Sequence, residues 1–157
     1  MMKRAFLFVA AAAAFAVAGV AMAHQFAAGG VTVTHPWSRP AAAGSNGVGF
    51  MGVTNTGPTP VTLVSVQTPG AAGAMAHRTQ SAGGVFSMAP APNLVIKTGE
   101  TVAFAPGSYH VMFTGLKAPL APGDKLPATL TFKRGKEVIA LPVTFNVQGA
   151  ANPEHQH

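Results

Sequence analysis

The 157 residues include no cysteine, only four acidic residues, one tryptophan and one tyrosine. Without cysteine there is no disulfide scaffold, thiolate zinc site, iron–sulfur cluster, cysteine nucleophile or blue-copper centre. Charged residues make up 9% of the chain and hydrophobic residues 48%. That balance excludes a disordered polyampholyte and leaves enough apolar surface for one core. No general acid–base pair, nucleophile triad or phosphate-binding loop can be picked out, so the chain is read as a non-enzyme. Lys125, Lys133, Arg134 and Lys136 cluster near the C-terminus. No stacking aromatics are interleaved with them, and they read as a solvated face rather than a nucleic-acid surface.

The opening segment has the form of an export signal. Lys3 and Arg4 precede an unbroken apolar run over residues 5–20, and Ala21-Met22-Ala23 is a small-x-small cleavage pattern. The run is close to the length that spans a bilayer, but the cleavage site falls where a signal peptide requires it. Cleavage after Ala23 predicts a periplasmic protein without a lasting membrane anchor. Residues 24–148 are then the folded domain and residues 149–157 a flexible tail. With no cysteine to carry a lipid, a lipoprotein is not expected. Of ten basic residues, loss of Lys3 and Arg4 leaves eight against four acids, a net charge of +4. Such a surface suits an acidic partner.

The rest reads as strands. Residues 31–34, 47–54, 60–66, 101–104, 109–113, 126–132 and 139–147 are β-branched, aromatic or alternating runs. Turn signals separate them: Asn55-Thr56-Gly57-Pro58, Ala105-Pro106-Gly107-Ser108 and Arg134-Gly135-Lys136. Pro142 interrupts the last run and predicts an edge or a bulge there. No segment after the leader has a 3.6-residue period, so an all-β sandwich or barrel is expected.

The histidines and methionines carry the chemistry. His110 and Met112, two apart on a strand, share one face, while Tyr109, Val111 and Phe113 turn to the core. Between His77 and Met88 lies the turn-rich Ser81-Ala82-Gly83-Gly84. A hairpin centred between Ala82 and Gly83 sets His77 directly opposite Met88, with Cβ atoms about 5 Å apart. Two His–Met pairs could then meet at one end of the sandwich. Soft thioethers with borderline imidazoles favour Cu(I) over zinc, magnesium or calcium. Met75 shares the face of His77 and is either an alternative ligand or a hydrophobic shield, the shield being preferred. Met51 reads as core filler, and His35, before Pro36, as a loop residue.

The ordered spacing H-x10-M-x21-H-x-M over His77, Met88, His110 and Met112 resembles that of the periplasmic copper chaperones called PCuAC. Trp37-Ser38-Arg39, Asn55-Thr56-Gly57 and Pro106-Gly107-Ser108-Tyr109-His110-Val111-Met112 are similar to that family's W-x-R, N-x-G and P-G-x-Y-H-x-M segments. The likeness runs from Val31 to Val147. It implies a cupredoxin-like β-sandwich or barrel that binds one Cu(I) at an exposed rim. It further implies delivery of copper to cytochrome c oxidase subunit II alongside a Sco-like chaperone. Sequestration of copper by the same ligands is the alternative. The family often has an acidic or hydroxyl neighbour beside the first His. Here the neighbours are Ala76 and Arg78, and an inward-pointing Arg78 would weaken Cu(I) binding. His155 and His157, with Glu154, either end the chain as a disordered polar tail or form a loose Cu(II) site, since imidazole and carboxylate oxygen suit Cu(II). His24, exposed as a new N-terminus by cleavage, is a further candidate for that second site.

Overall fold

The computed structural model describes residues 25–149. The leader, His24, His155 and His157 lie outside the described residues. Eleven strands make up the described part: β1 (Gln25–Ala28), β2 (Val31–Ser38), β3 (Gly47–Asn55), β4 (Val61–Gln67), β5 (Ala71–Ala82), β6 (Val85–Pro90), β7 (Leu94–Ile96), β8 (Thr101–Phe104), β9 (Tyr109–Leu116), β10 (Lys125–Arg134) and β11 (Glu137–Val147). There is no helix among the described residues.

The strands are linked in the order β6-β5-β9-β8-β3-β2-β11-β10-β4-β7, with β1 added to β2 and a direct β9–β3 pairing. Most neighbours are antiparallel, but β2 meets β11 in parallel at Trp37↔Asn146 and Ser38↔Val147. The sheet curls over until β4 contacts β5, without closing. The all-β expectation therefore holds. Alternation along each strand sends one set of side chains inward. Val33, Met51, Val53, Val111 and Phe113 meet Leu63, Leu130, Phe132, Leu141, Val143 and Phe145 in a single core. Phe113 and Phe145 pack edge to face with ring centroids 5.3 Å apart.

Two strands lay beyond the sequence signals: β1, where two of four residues are Ala, and the three-residue β7. Pro142 pairs with Thr129 of β10, while β11 meets β2 only at Asn146 and Val147. The missing N–H of Pro142 thus falls on a stretch paired on one side only, as expected. His35 is not in a loop. It lies within β2 at an irregularity in the β2–β3 register between Thr34 and Trp37, with φ 47°.

One polar cluster fixes a loop end of the sheet. Asn55 is fully buried. Its Nδ2 donates to the carbonyls of Thr59 (2.9 Å) and Ile96 (3.0 Å), and its Oδ1 accepts from Gly57 N–H (2.9 Å) and Arg134 Nη2 (2.7 Å). Arg134 also donates through Nη1 to the Gly29 carbonyl and through Nε to the Thr59 carbonyl. Arg134 is therefore a structural pin, which corrects its reading as part of a solvated basic face. A Cβ at Gly57 would run into the Arg134 guanidinium, so the glycine of the N-x-G turn leaves that guanidinium its place on Asn55.

Candidate metal centre

The centre lies on the outer face of β6, β5 and β9. In the β5–β9 ladder His77 stands directly opposite His110, and Met75 directly opposite Met112. Directly paired residues share a face. Ala76 and Val111, one residue along, are buried on the core side, so the four side chains point outward together. The two imidazole centroids are 5.6 Å apart at an interplanar angle of 37°. That separation lies within the span that two imidazoles on one ion, each bonded at about 2 Å, can bridge.

Met88 joins from β6 in a different register from the expected one. The turn is Gly83-Gly84, with φ 59° and 79°, so Ala82 pairs with Val85, Thr79 with Met88 and His77 with Pro90. A two-residue hairpin turn of this kind needs positive φ at both central positions, which Gly83-Gly84 supplies and Ala82-Gly83 does not. His77 and Met88 are therefore diagonal neighbours rather than a direct pair. The slip is two residues, so both keep the same face. A diagonal of about 7–8 Å stays within reach of a long side chain. Met88 is 59% exposed and Met75 47%, whereas His110 is 3% exposed.

The electrostatics of His110 are those of a neutral ligand. Burial, with a smaller Coulombic contribution from His77, pushes the His110 pKa below that of an ordinary histidine; a backbone hydrogen bond with Ser108 opposes the shift. His110 is then neutral at neutral pH, with a lone pair available. His110 Nε2 and His77 Nδ1 are both buried and have no hydrogen-bond partner. Buried polar atoms nearly always find partners, and two orphans on facing imidazoles fit a shared metal ion. Among the described residues no group of three or more His, Cys, Asp or Glu could hold a metal ion, and the soft donors that share this face with the two imidazoles are the thioethers of Met75, Met88 and Met112. Such a set suits a soft monovalent ion and not zinc or calcium.

The surroundings are apolar. Trp37 packs against Phe50 with ring centroids 4.7 Å apart and planes tilted by 39°, and the Arg39 guanidinium lies 5.3 Å from the Phe50 ring centroid. Val48 pairs with Met112, and Phe50, two residues on, shares its face. The W-x-R segment thus covers the outer face beside the metal-site side chains. Arg78, next to His77, does not point at the centre. It pairs with Tyr109, lies on the opposite face of β5 and sits over the Tyr109 ring at 5.6 Å. The weakening expected of an inward cation does not arise.

A cupredoxin-like sheet with paired imidazoles and thioethers on an outer face, and no thiolate, defines a surface-site β-domain rather than a buried electron-transfer centre. The chain belongs to the LpqE-like lipoprotein family, whose profile matches residues 31–147, and its domain is of the PCuAC type. A relative named as a lipoprotein, Lxx21020 of Leifsonia xyli subsp. xyli, is 36% identical over 109 residues, covering 68% of this chain. The match spans 65% of that relative's length, just under two thirds. Among solved structures, copper(I)-loaded DR1885 from Deinococcus radiodurans is 30% identical with a TM-score of 0.56, over 74% of this chain and 78% of that one. The copper-bound PCuAC domain of PmoF2 is 20% identical with a TM-score of 0.66, over 80% and 98%. The apo PCuAC domain of PmoF1 is 24% identical with a TM-score of 0.65, over 80% and 99%. The two PmoF domains, at those identities, speak for the fold alone.

Proposed function

We propose that this chain is an exported Cu(I) carrier that holds one ion at His77, Met88, His110 and Met112 and passes it on. The supporting observation is the pair of buried, unpartnered nitrogens on His77 and His110 beside an exposed thioether. Imidazole fixes the ion, and soft sulfur selects the monovalent state. Copper is cargo here. A donor such as Met88 at the solvent edge lets an incoming ligand take its place on the ion without the ion becoming free. That exposure favours delivery over sequestration, which would use the same donors. A copper(I)-loaded protein of the same fold, DR1885, adds support, and a relative named as a lipoprotein supports export, though this chain has no cysteine to bear a lipid.

The recipient, by resemblance, is the copper centre of cytochrome c oxidase subunit II, with a Sco-like chaperone as co-worker. A second, Cu(II) position at His24, His155 and His157 belongs to the same proposal and lies outside the described residues. The test is an anaerobic Cu(I) titration of the exported protein with X-ray absorption. One ion bound by two nitrogens and two sulfurs is expected, and a spectrum with only nitrogen and oxygen scatterers overturns the reading. Deletion in the native organism separates the roles: an oxidase defect marks delivery and copper sensitivity marks storage.

A further inference from the structure

The donors on the outer face outnumber what one Cu(I) needs, and their arrangement ranks them. His77–His110 and Met75–Met112 are two directly opposed pairs on adjacent strands, β5 and β9. They mark the corners of a rectangle about 5 Å across the strands and about 7 Å along them. This rectangle is a complete two-imidazole, two-thioether set. Met88 stands outside it, on the diagonal from His77 and on β6, the end strand of the sheet.

We infer that Met75 is a reserve sulfur ligand, which binds Cu(I) with His77, His110 and Met112 whenever Met88 is withdrawn. The inference rests on the proposed Cu(I) site. Four observations lead to it. Met75 shares the face and the register of Met112. It is 47% exposed, so its thioether is not committed to the core. It also borders a shallow apolar cleft with Val66 and Pro92, where a flexible side chain can rest when it is not bound to metal. Met88 is the more exposed sulfur, so an acceptor's ligand reaches it first. Exchange of Met88 for Met75 then keeps two sulfurs on the ion while Met88 is displaced. No electron or proton moves in the exchange; one Cu–S bond forms as another breaks.

The test is a double-mutant cycle on the full exported protein with Met75→Leu, Met88→Leu and the pair together. Leu for Met nearly conserves volume, and both sites are exposed, so the fold should hold; quenching of the single Trp37 by Cu(I) reports on each folded variant. Affinity is read by competition with a chromogenic Cu(I) chelator, and the sulfur count by X-ray absorption. Each single variant is expected to keep two sulfurs and lose less than about tenfold in affinity. The double variant is expected to drop to one sulfur and to lose at least about tenfold more than the product of the single losses, because each sulfur covers for the other. A Met88→Leu protein that already has one sulfur and binds as weakly as the double variant overturns the inference while leaving the Cu(I) site standing. A parent protein that shows no sulfur ligation at all overturns the site itself, and the reserve ligand with it.

Discussion

Two buried polar clusters in this domain are built in opposite ways. Around Asn55 every hydrogen-bonding position of the side-chain amide is filled: two carbonyls accept from Nδ2, and a backbone N–H and a guanidinium donate to Oδ1. At the His77–His110 pair, a buried nitrogen on each ring has nothing to bond. An unsatisfied buried polar atom costs about 1–3 kcal/mol, so two of them side by side need a reason. The first cluster ties loops to the sheet. The second keeps lone pairs available for an ion that comes from outside. Of these two clusters, the filled one holds the fold together and the unfilled one is the candidate site.

The sharpest way to break the comparison is to remove the soft donors and leave the polar pin alone. Met88→Leu with Met112→Leu should lower Cu(I) affinity by more than about a hundredfold, near 3 kcal/mol, with the midpoint of thermal unfolding of the metal-free protein almost unchanged. Chelator competition and calorimetry read the two quantities side by side, and unchanged affinity takes the two sulfurs off the ion. The mirror experiment is Asn55→Ala. It strands the Ile96 carbonyl, the Gly57 N–H and one arm of Arg134, and should destabilise the fold by about 2–3 kcal/mol. Copper stoichiometry below the lowered melting temperature should stay at one; loss of copper binding without loss of stability would reverse the roles assigned to the clusters.

A finer cut distinguishes donors within the site. His77→Ala should cost about tenfold more Cu(I) affinity than Met75→Ala, near 1.4 kcal/mol. His77 is one of two imidazoles assigned to the ion, whereas Met75 is only the reserve and its loss leaves the resident Met88 in place. Equal losses in the same competition assay would make Met75 a permanent ligand instead of a reserve.

The parts that were legible in the sequence were those governed by local rules. Alternation through Ile139, Leu141, Val143, Phe145 and Val147 dictated the inward face of β11, and the same parity put His110 and Met112 outward together. The register of β5 on β6 was open to misreading because Ser81-Ala82-Gly83-Gly84 offers more than one two-residue centre. It is settled by the positive φ that both Gly83 and Gly84 adopt. The pairing of Met75 with Met112 depends on the β5–β9 ladder, which joins segments more than thirty residues apart, and no local pattern encodes it. Arg134 was hidden among neighbouring basic residues. Its role depends on Asn55, Thr59 and Gly29, which only the folded sheet brings near.

The smallest expected effect lies beyond the sheet. Removing residues 151–157 should leave Cu(I) affinity unchanged, because the four donors assigned to the ion sit on β5, β6 and β9. The same truncation should reduce any second, weaker Cu(II) event, because His155, His157 and Glu154 offer imidazole and carboxylate donors that Cu(II) prefers to thioether. The contrast extends the comparison between filled and unfilled clusters: a soft, pre-formed pair on the sheet against harder donors at the end of the chain. An ion captured as Cu(II) at the tail would need a reductant, such as a thiol, before the sheet site could hold it as Cu(I). The measurement is a Cu(II) titration of full-length exported and truncated proteins followed by electron paramagnetic resonance. A truncated protein with the same Cu(II) signal and stoichiometry would show that His155 and His157 take no part, and would leave His24 as the remaining candidate for that second site.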